Sequence, residues 1–291
     1  MVRRCGLFAL TNARQPDALT NKPRTLIAQT GASANRPSGS AKLPCPAVSL
    51  LYRPNGGILR LRFDSGRLLP LSSFQSQRTK LSNRELICRE GDVATHCTIV
   101  LSGFVARYKI IGDREQILCF HVPGDFPDLQ TLQLRVLDHN IVSIGPSRVG
   151  QVPHTQLQAI LDASPKLAHA FWRETLKEAA IFREWVCNVA ARDALGSIAH
   201  LICETATRLD AVGLVENDSF QLPFTQQNIA NATGISAVHV NRTLQLLRSR
   251  GLIKWEARTL ELIDFRELKR IADFSPNYLH LHPEPSSRRA V

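Results

Sequence analysis

Between residues 81 and 155 the chain alternates short apolar or β-branched runs with turn residues. The runs are Glu85 to Cys88, Thr98 to Leu101, Val105 to Ile111, Gln116 to Val122, Ile141 to Ile144 and Val149 to Val152, and their length and composition predict strands. The breaks fall at Gly91-Asp92, Ser102-Gly103, Gly112-Asp113, Pro123-Gly124-Asp125 and Gly145-Pro146, spaced closely enough for a small antiparallel barrel or jelly roll. At Ser164-Pro165 the pattern changes: a serine suited to cap and a proline suited to the first helical position open a run free of Gly and Pro. This predicts one long helix over 164–190. Along it Ala168, Phe171, Thr175, Glu178, Phe182, Trp185 and Val189 recur at three- and four-residue steps, a stripe that fits either a partner chain or the β-module. A further helix, Arg192 to Leu209, turns Leu195, Ile198, Leu201 and Ile202 to one side.

Residues 225–251 carry the sharpest local pattern. Thr225 can cap a two-turn helix with Ile229 and Ala230 inside, Gly234 supplies a permissive turn backbone, and Ser236 caps a second helix over 236–250; this is a helix-turn-helix. On the second helix Val240, Leu244 and Leu247 form the apolar stripe, leaving Val238, Asn241, Arg242 and Gln245 outside. Asn and Gln pair with adenine, Arg with guanine, and Val meets a thymine methyl, so this outer face suits base readout in a major groove. Leu252 to Trp255 and Thr259 to Ile263 flank a polar turn and predict a β-hairpin wing. Thr225, Gln226, Ser236, His239, Arg248, Lys254 and Arg258 are candidates for the phosphate backbone, contacts that position without specifying sequence.

Charge sharpens this picture only once it is divided. The formal net charge of +11 lies entirely in residues 1–80, while residues 81–291 are neutral overall. Against that neutral body, residues 225–258 hold Arg242, Arg248, Arg250, Lys254 and Arg258 with Glu256 as the sole acid, a local basic face. Residues 1–57, rich in Pro, Ser, Ala, Asn and Arg without a sustained apolar period, read as a disordered basic extension or as chain ahead of the natural start. Seven cysteines with no C-x-x-C pair point to a reduced, cytoplasmic protein, with Cys88, Cys97 and Cys119 as small buried hydrophobes on strands. No apolar run is long enough to cross a membrane, and no H-E-x-x-H, P-loop, G-x-S-x-G or G-x-G-x-x-G framework is present, so an enzyme is not expected. His280 and His282 fall in an expected flexible tail, 275–291, and no metal or cofactor is expected.

With these parts in order, the chain resembles the Crp/Fnr family of bacterial transcription regulators over roughly residues 70–265. The resemblance rests on Glu90-Gly91-Asp92, Leu101-Ser102-Gly103, Pro123-Gly124-Asp125-Phe126, and Leu222-Pro223-Phe224-Thr225-Gln226-Gln227-Asn228-Ile229-Ala230 through Arg242 to Gly251-Leu252-Ile253. It implies an α+β protein: an antiparallel β-roll of jelly-roll type over 58–160 resembling cyclic-nucleotide-binding domains, a long dimerisation helix, and a winged helix-turn-helix over 191–274. It implies further a homodimer joined along that helix, with Phe171, Thr175, Glu178, Phe182, Trp185 and Val189 as its stripe, reading a two-fold symmetric (palindromic) operator in double-stranded DNA and acting on RNA polymerase.

The sequence also departs from the family. Where cyclic-AMP-binding members carry a Gly-Glu pair and a later Arg-Ser or Arg-Thr, this chain has Pro127-Asp128-Leu129-Gln130 and then Asp138-His139-Asn140. No arginine stands at those positions to hold a phosphate, and Asp128 and Asp138 would repel one, so the effector is expected to be other than cyclic AMP or absent. The degenerate pocket would comprise Phe126, Asp128, Leu129, His139 and Asn140. Cys5 and Cys45 lie forty residues apart, the wrong spacing for an iron–sulfur cluster. Ala237 and Val238 occupy positions where the family often has a charged pair, which predicts a different operator. The alternatives are a ligand-binding or protein-interaction module that does not bind DNA, and a cyclic-nucleotide-responsive regulator.

Overall fold

The computed structural model describes residues 48–51, 60–63 and 68–70 as strands and residues 77–281 in full. Val48–Leu51 (β1), Arg60–Phe63 (β2) and Leu68–Pro70 (β3) pair antiparallel in that order. Residues 48–51 thus form a strand inside the segment expected to be disordered; their short apolar run pairs with residues 60–63. The rest of the expected extension, residues 1–47 and 52–57, lies outside the described residues.

The β-roll is built from Gln77–Leu81 (β4), Leu86–Cys88 (β5), His96–Ile111 (β6), Arg114–His121 (β7) and Asn140–Pro153 (β8). Its antiparallel sheet runs β4-β8-β6-β7, with β5 also on β8. Two expected breaks do not end strands. Ser102-Gly103 lies inside the 16-residue β6 and Gly145-Pro146 inside the 14-residue β8. The ladder shifts register at Ser102 and again before Phe104, so this glycine makes an irregularity within the strand; a positive-φ glycine serves a bulge as well as a turn. At Gly103 (φ +78) a Cβ would come within 2.5 Å of Ser147 Oγ, so close strand approach also requires glycine.

A short turn of helix, Thr131–Leu134 (α1), sits between β7 and β8, and His154–Asp162 (α2) leads into the long helix Pro165–Ala190 (α3). Ser164 and Pro165 hold the expected N-cap and first-turn positions, but the serine side chain makes no capping bond. Ala194–Ala211 (α4), capped by Asp193, carries a nearly all-round buried surface. Then follow Ser219–Gln221 (β9), Gln226–Thr233 (α5), Ala237–Ser249 (α6), Ile253–Glu256 (β10), Thr259–Leu262 (β11) and Phe265–Ile271 (α7). The wing is three-stranded, because β9 pairs with β11.

The largest core cluster joins the two halves: Phe104, Ile117, Phe120 and Ile144 of the roll pack with Ile181 and Trp185 of α3, Leu201 and Ile202 of α4, and Phe224, Ile229 and Leu247 of the helix-turn-helix. Smaller clusters around Ile99–Leu129–Phe171 and Val100–Ile141 fill the rest of the roll. Residues 275–281 are not a tail: Pro276–Leu279 form a 3-10 turn with Leu279 buried. The Tyr278 hydroxyl donates to Glu204 Oε2 at 2.7 Å, giving a buried carboxylate a partner that a solvated tail would not. His280 is exposed, and His282 lies outside the described residues.

Candidate nucleic-acid interface

Local chemistry positions the two helices. Thr225 and Asn228 form a reciprocal capping box, the Asn228 N–H donating to Thr225 Oγ1 at 3.1 Å and the Thr225 N–H to Asn228 Oδ1 at 2.9 Å, which starts α5. Gly234 ends it at φ +74, a backbone state that favours glycine. Ser236 Oγ accepts from the His239 N–H at 3.2 Å and starts α6. Val240, Leu244 and Leu247 are buried. On the far face Val238 is 65% exposed, Arg242 and Gln245 are exposed and Asn241 is half-buried. Among the described residues the side chains of Asn241, Arg242 and Gln245 have no hydrogen bond or ion pair within the chain. Ser236, Val238, His239, Arg242, Thr243 and Leu246 line a shallow hollow on this face.

The phosphate candidates divide by how they are already used. The Thr225 and Ser236 hydroxyls cap helices. Arg248 Nη2 donates to Trp255 O at 3.3 Å, and Lys254 Nζ lies 3.6 Å from Glu256. Gln226, His239 and Arg258 are exposed. The motif is seated on β6 and β7: the Phe224 ring stacks on Phe120 of β7 at 4.0 Å and meets Phe104 of β6 edge-on at 5.1 Å. Asn231 Nδ2 donates to Glu115 Oε1 at 3.0 Å, and Glu115 is also clamped by Arg84. The guanidinium and Asn231 hold the Glu115 carboxyl below its usual range despite burial.

The sensor segment is closed by its own groups. Asp128 is fully buried and its Oδ1 accepts from the Thr98 N–H at 2.6 Å, while Oδ2 has no partner; burial pushes its carboxyl up to about 7. Leu129 lies in the core with Cys97 and Ile99, and the half-buried Phe126 ring meets Phe171 edge-on at 5.4 Å. His139 Nδ1 sits 2.7 Å from Asp138, and burial lowers its pKa. Asn140 Oδ1 accepts from the Glu90 N–H at 3.1 Å. The expectation that no arginine serves this region needs correction. Arg107, three-quarters of the way along β6 and buried, donates through Nε to Pro127 O and through Nη2 to Gln130 Oε1 at 3.1 Å, and pairs through Nη1 with Glu178 of α3 at 2.5 Å. It arrives from a neighbouring strand and not from the segment itself, and its donors are already engaged.

The helix stripe is also redistributed. Phe171 and Trp185 are buried, Trp185 Nε1 donating to Glu204 at 3.2 Å. Glu178 and Phe182 face Arg107, whose guanidinium lies 5.8 Å from the Phe182 ring centre. Thr175 is half-buried and bonds back to Trp172 O, and Val189 is 45% exposed. Four of the six expected dimer residues therefore pack inside their own chain. The exposed apolar residues of α3 are instead Trp172, Leu176, Val186 and Val189, at 63%, 53%, 68% and 45%. Trp172, Leu176 and Val186 lie within about 80° of one another around the helix, whereas Val189, about five turns after Phe171, returns to the angle of that buried ring.

Comparison with known proteins gives a family match to each half. Residues 78–164 match the cyclic nucleotide-binding domain and residues 197–271 the Crp-like helix-turn-helix domain. The chain is 23% identical over 211 residues to the transcriptional activator protein FnrA of Stutzerimonas stutzeri, covering 69% of this chain and 86% of that protein. It is 27% identical over 199 residues to the nitrogen fixation regulation protein FixK of Bradyrhizobium diazoefficiens, covering 67% and 82%. Its fold is similar to the solved structure of FixK2 from Bradyrhizobium japonicum, with TM-score 0.62 and 23% identity over 67% of this chain and 96% of that one. Among the described residues no helix is long and apolar enough to cross a membrane.

Proposed function

Since the chain is a DNA-binding transcription regulator of the Crp/Fnr type, we propose that it works as a cytoplasmic homodimer reading a two-fold symmetric operator, by binding and not by catalysis. Each α6 enters a major groove, the two about 34 Å apart, one helical turn of DNA. Val238, Asn241, Arg242 and Gln245 read bases. Gln226, His239, Arg258 and the helix N-termini at Thr225 and Ser236 hold phosphates, with Arg248 and Lys254 adding charge. RNA polymerase is the further partner.

The observation that carries this reading is the outer face of α6: Asn241, Arg242 and Gln245 keep their polar ends unused beside an exposed Val238, within a strongly basic local segment. The dimer contact is assigned to Trp172, Leu176, Val186 and Val189, which are outward on α3. The effector is other than cyclic AMP or absent, a reading supported by the internal bonds of Asp128, His139 and Asn140 and by the prior engagement of Arg107.

In-vitro selection from a randomised duplex pool at fixed salt, with and without cyclic AMP, tests it. A symmetric site recovered equally in both arms is expected. Enrichment only with the nucleotide would reverse the effector assignment, and no enrichment in either arm would favour a non-DNA-binding module.

A further inference from the structure

Cys119 and His121 are two residues apart on β7, so their side chains leave the same face of the strand, and both are buried. Cys119 Sγ lies 3.1 Å from His121 Nε2. Glu178, on α3 opposite, completes a group whose sulfur, imidazole and carboxylate donor atoms all lie within 4.8 Å of one another. The other imidazole nitrogen, Nδ1, faces Asp125 Oδ2 at 3.7 Å, and Asp125 is held by Arg208 Nη2 at 2.5 Å. Asp125 thus stands on the Nδ1 side of the ring while Nε2 faces the sulfur, the side on which a carboxylate supports a metal-binding histidine.

The order Cys–His–Asp also resembles that of a nucleophilic triad. Burial argues against that use: it closes the pair to a substrate and pushes the Cys119 thiol up to about 12. A metal ion is small enough, and thiolate, imidazole and carboxylate are the donor set of zinc-class ions. Charge points the same way. The guanidiniums of Arg107 and Arg208 serve three carboxylates, those of Asp125, Glu178 and Glu204, while Lys177 nearby is tied to Glu174. A divalent ion that replaces the thiol proton adds one positive charge and balances the group. Glu178 Oε1 is in ion-pair range of Arg107 but makes no hydrogen bond of good geometry. Arg107 competes for this carboxylate, but a carboxylate has two oxygens and can be shared.

We propose that Cys119 Sγ, His121 Nε2 and a Glu178 carboxylate oxygen bind one divalent transition-metal ion of the zinc class, joining the β-roll to the long helix. On binding, the Cys119 S–H bond breaks, its proton leaves to solvent and the sulfur bonds the metal. The imidazole and carboxylate donate lone pairs, no oxidation state changes, and water takes a fourth position.

The test uses the full chain, purified with chelator and titrated with Co2+. One equivalent should bind with tetrahedral d–d bands and a sulfur-to-cobalt charge-transfer band, Zn2+ should displace it, and thermal stability should rise with metal concentration. C119S should lose the charge-transfer band, while C97S, which removes an equally buried thiol on β6, should keep it. Glu178→Gln should weaken binding about tenfold or more. Should C119S fail to fold, X-ray absorption on the wild-type protein decides: one sulfur with imidazole scattering supports the site. A shell with no sulfur, or with two as from Cys88 and Cys97, overturns it, as does an absent charge-transfer band in the wild type or a band retained in C119S.

Discussion

In the sensor segment Asp128, His139 and Asn140 are each less than a tenth exposed and bond within the chain. On α6 Asn241, Arg242 and Gln245 offer similar chemistry to solvent. The difference teaches that a polar residue signals recognition only where the protein has not already used it. A buried carboxylate or guanidinium must be satisfied internally because low dielectric makes an unmade bond costly. An exposed one loses little by waiting for a partner. The same residue types thus stabilise the fold in one region and are free to read DNA in the other.

Mutations can break this contrast, the largest effect first. Arg208 on α4 bonds Asp125, Glu204 and the Phe120 carbonyl from a nearly buried position, so Arg208→Ala should cost about 3–5 kcal/mol of stability by stranding buried acids. Chemical denaturation measures the loss, and the preferred DNA site should not change. An altered site preference in this variant would break the comparison.

Asp128 gives a pH signature of internal use. Its folded pKa of about 7 lies above the ordinary 3.8, so between about pH 4 and pH 7 the folded state holds a proton that the unfolded state has lost. Its contribution is therefore fully present below about pH 4 and disappears as pH rises through 7, on the order of 2–4 kcal/mol. The wild-type protein minus Asp128→Asn difference in stability, measured across that window, should show this fall; a flat difference would contradict the assignment.

Arg242→Ala should leave the melting temperature unchanged and cost about 1–3 kcal/mol of DNA binding at one base position. Lys254→Ala should have the smallest effect, because Lys254 already shares its charge with Glu256 on the wing. Affinity should fall by the same factor on all sequences, and the slope of log K against log salt should drop by about one or less. Equal losses for both variants on every sequence would remove the split between reading and positioning.

The contrast also marks what the sequence could and could not reveal. The helix-turn-helix was legible because Thr225, Gly234 and Ser236 place cap, turn and cap within twelve residues, with Val240, Leu244 and Leu247 in period. Local chemistry alone sets those features. The orientation of α3 was not legible, because two apolar stripes run along it. Phe171 and Trp185 lie on one, Trp172, Leu176 and Val186 on the other, and periodicity identifies stripes without saying which is covered. Arg107 was missed for a different reason: it reaches the sensor segment across strand pairings and stands twenty residues from Pro127 in the chain. Gly103 and Gly145 look like ends of strands in the sequence, since bulges and turns draw on the same positive-φ glycine. The third strand of the wing, β9, is only three residues long, too short for a pattern to show.

The Tyr278 clamp bears on the order in which the protein is made. Synthesis delivers β4 through α2 before the DNA-reading helices, and domains generally fold as units from the N-terminus as they emerge. The roll can therefore begin to collapse around Val100, Ile141 and Val149 before α3 adds Phe171 to the cluster at Ile99 and Leu129. The packing around α4 is not complete until Tyr278 and Leu279 have left the ribosome, because Tyr278 bonds the buried Glu204 carboxylate and Leu279 joins the core. A nascent chain that stops at the wing therefore lacks the partner that Tyr278 gives to Glu204 and the side chain that Leu279 adds to the core.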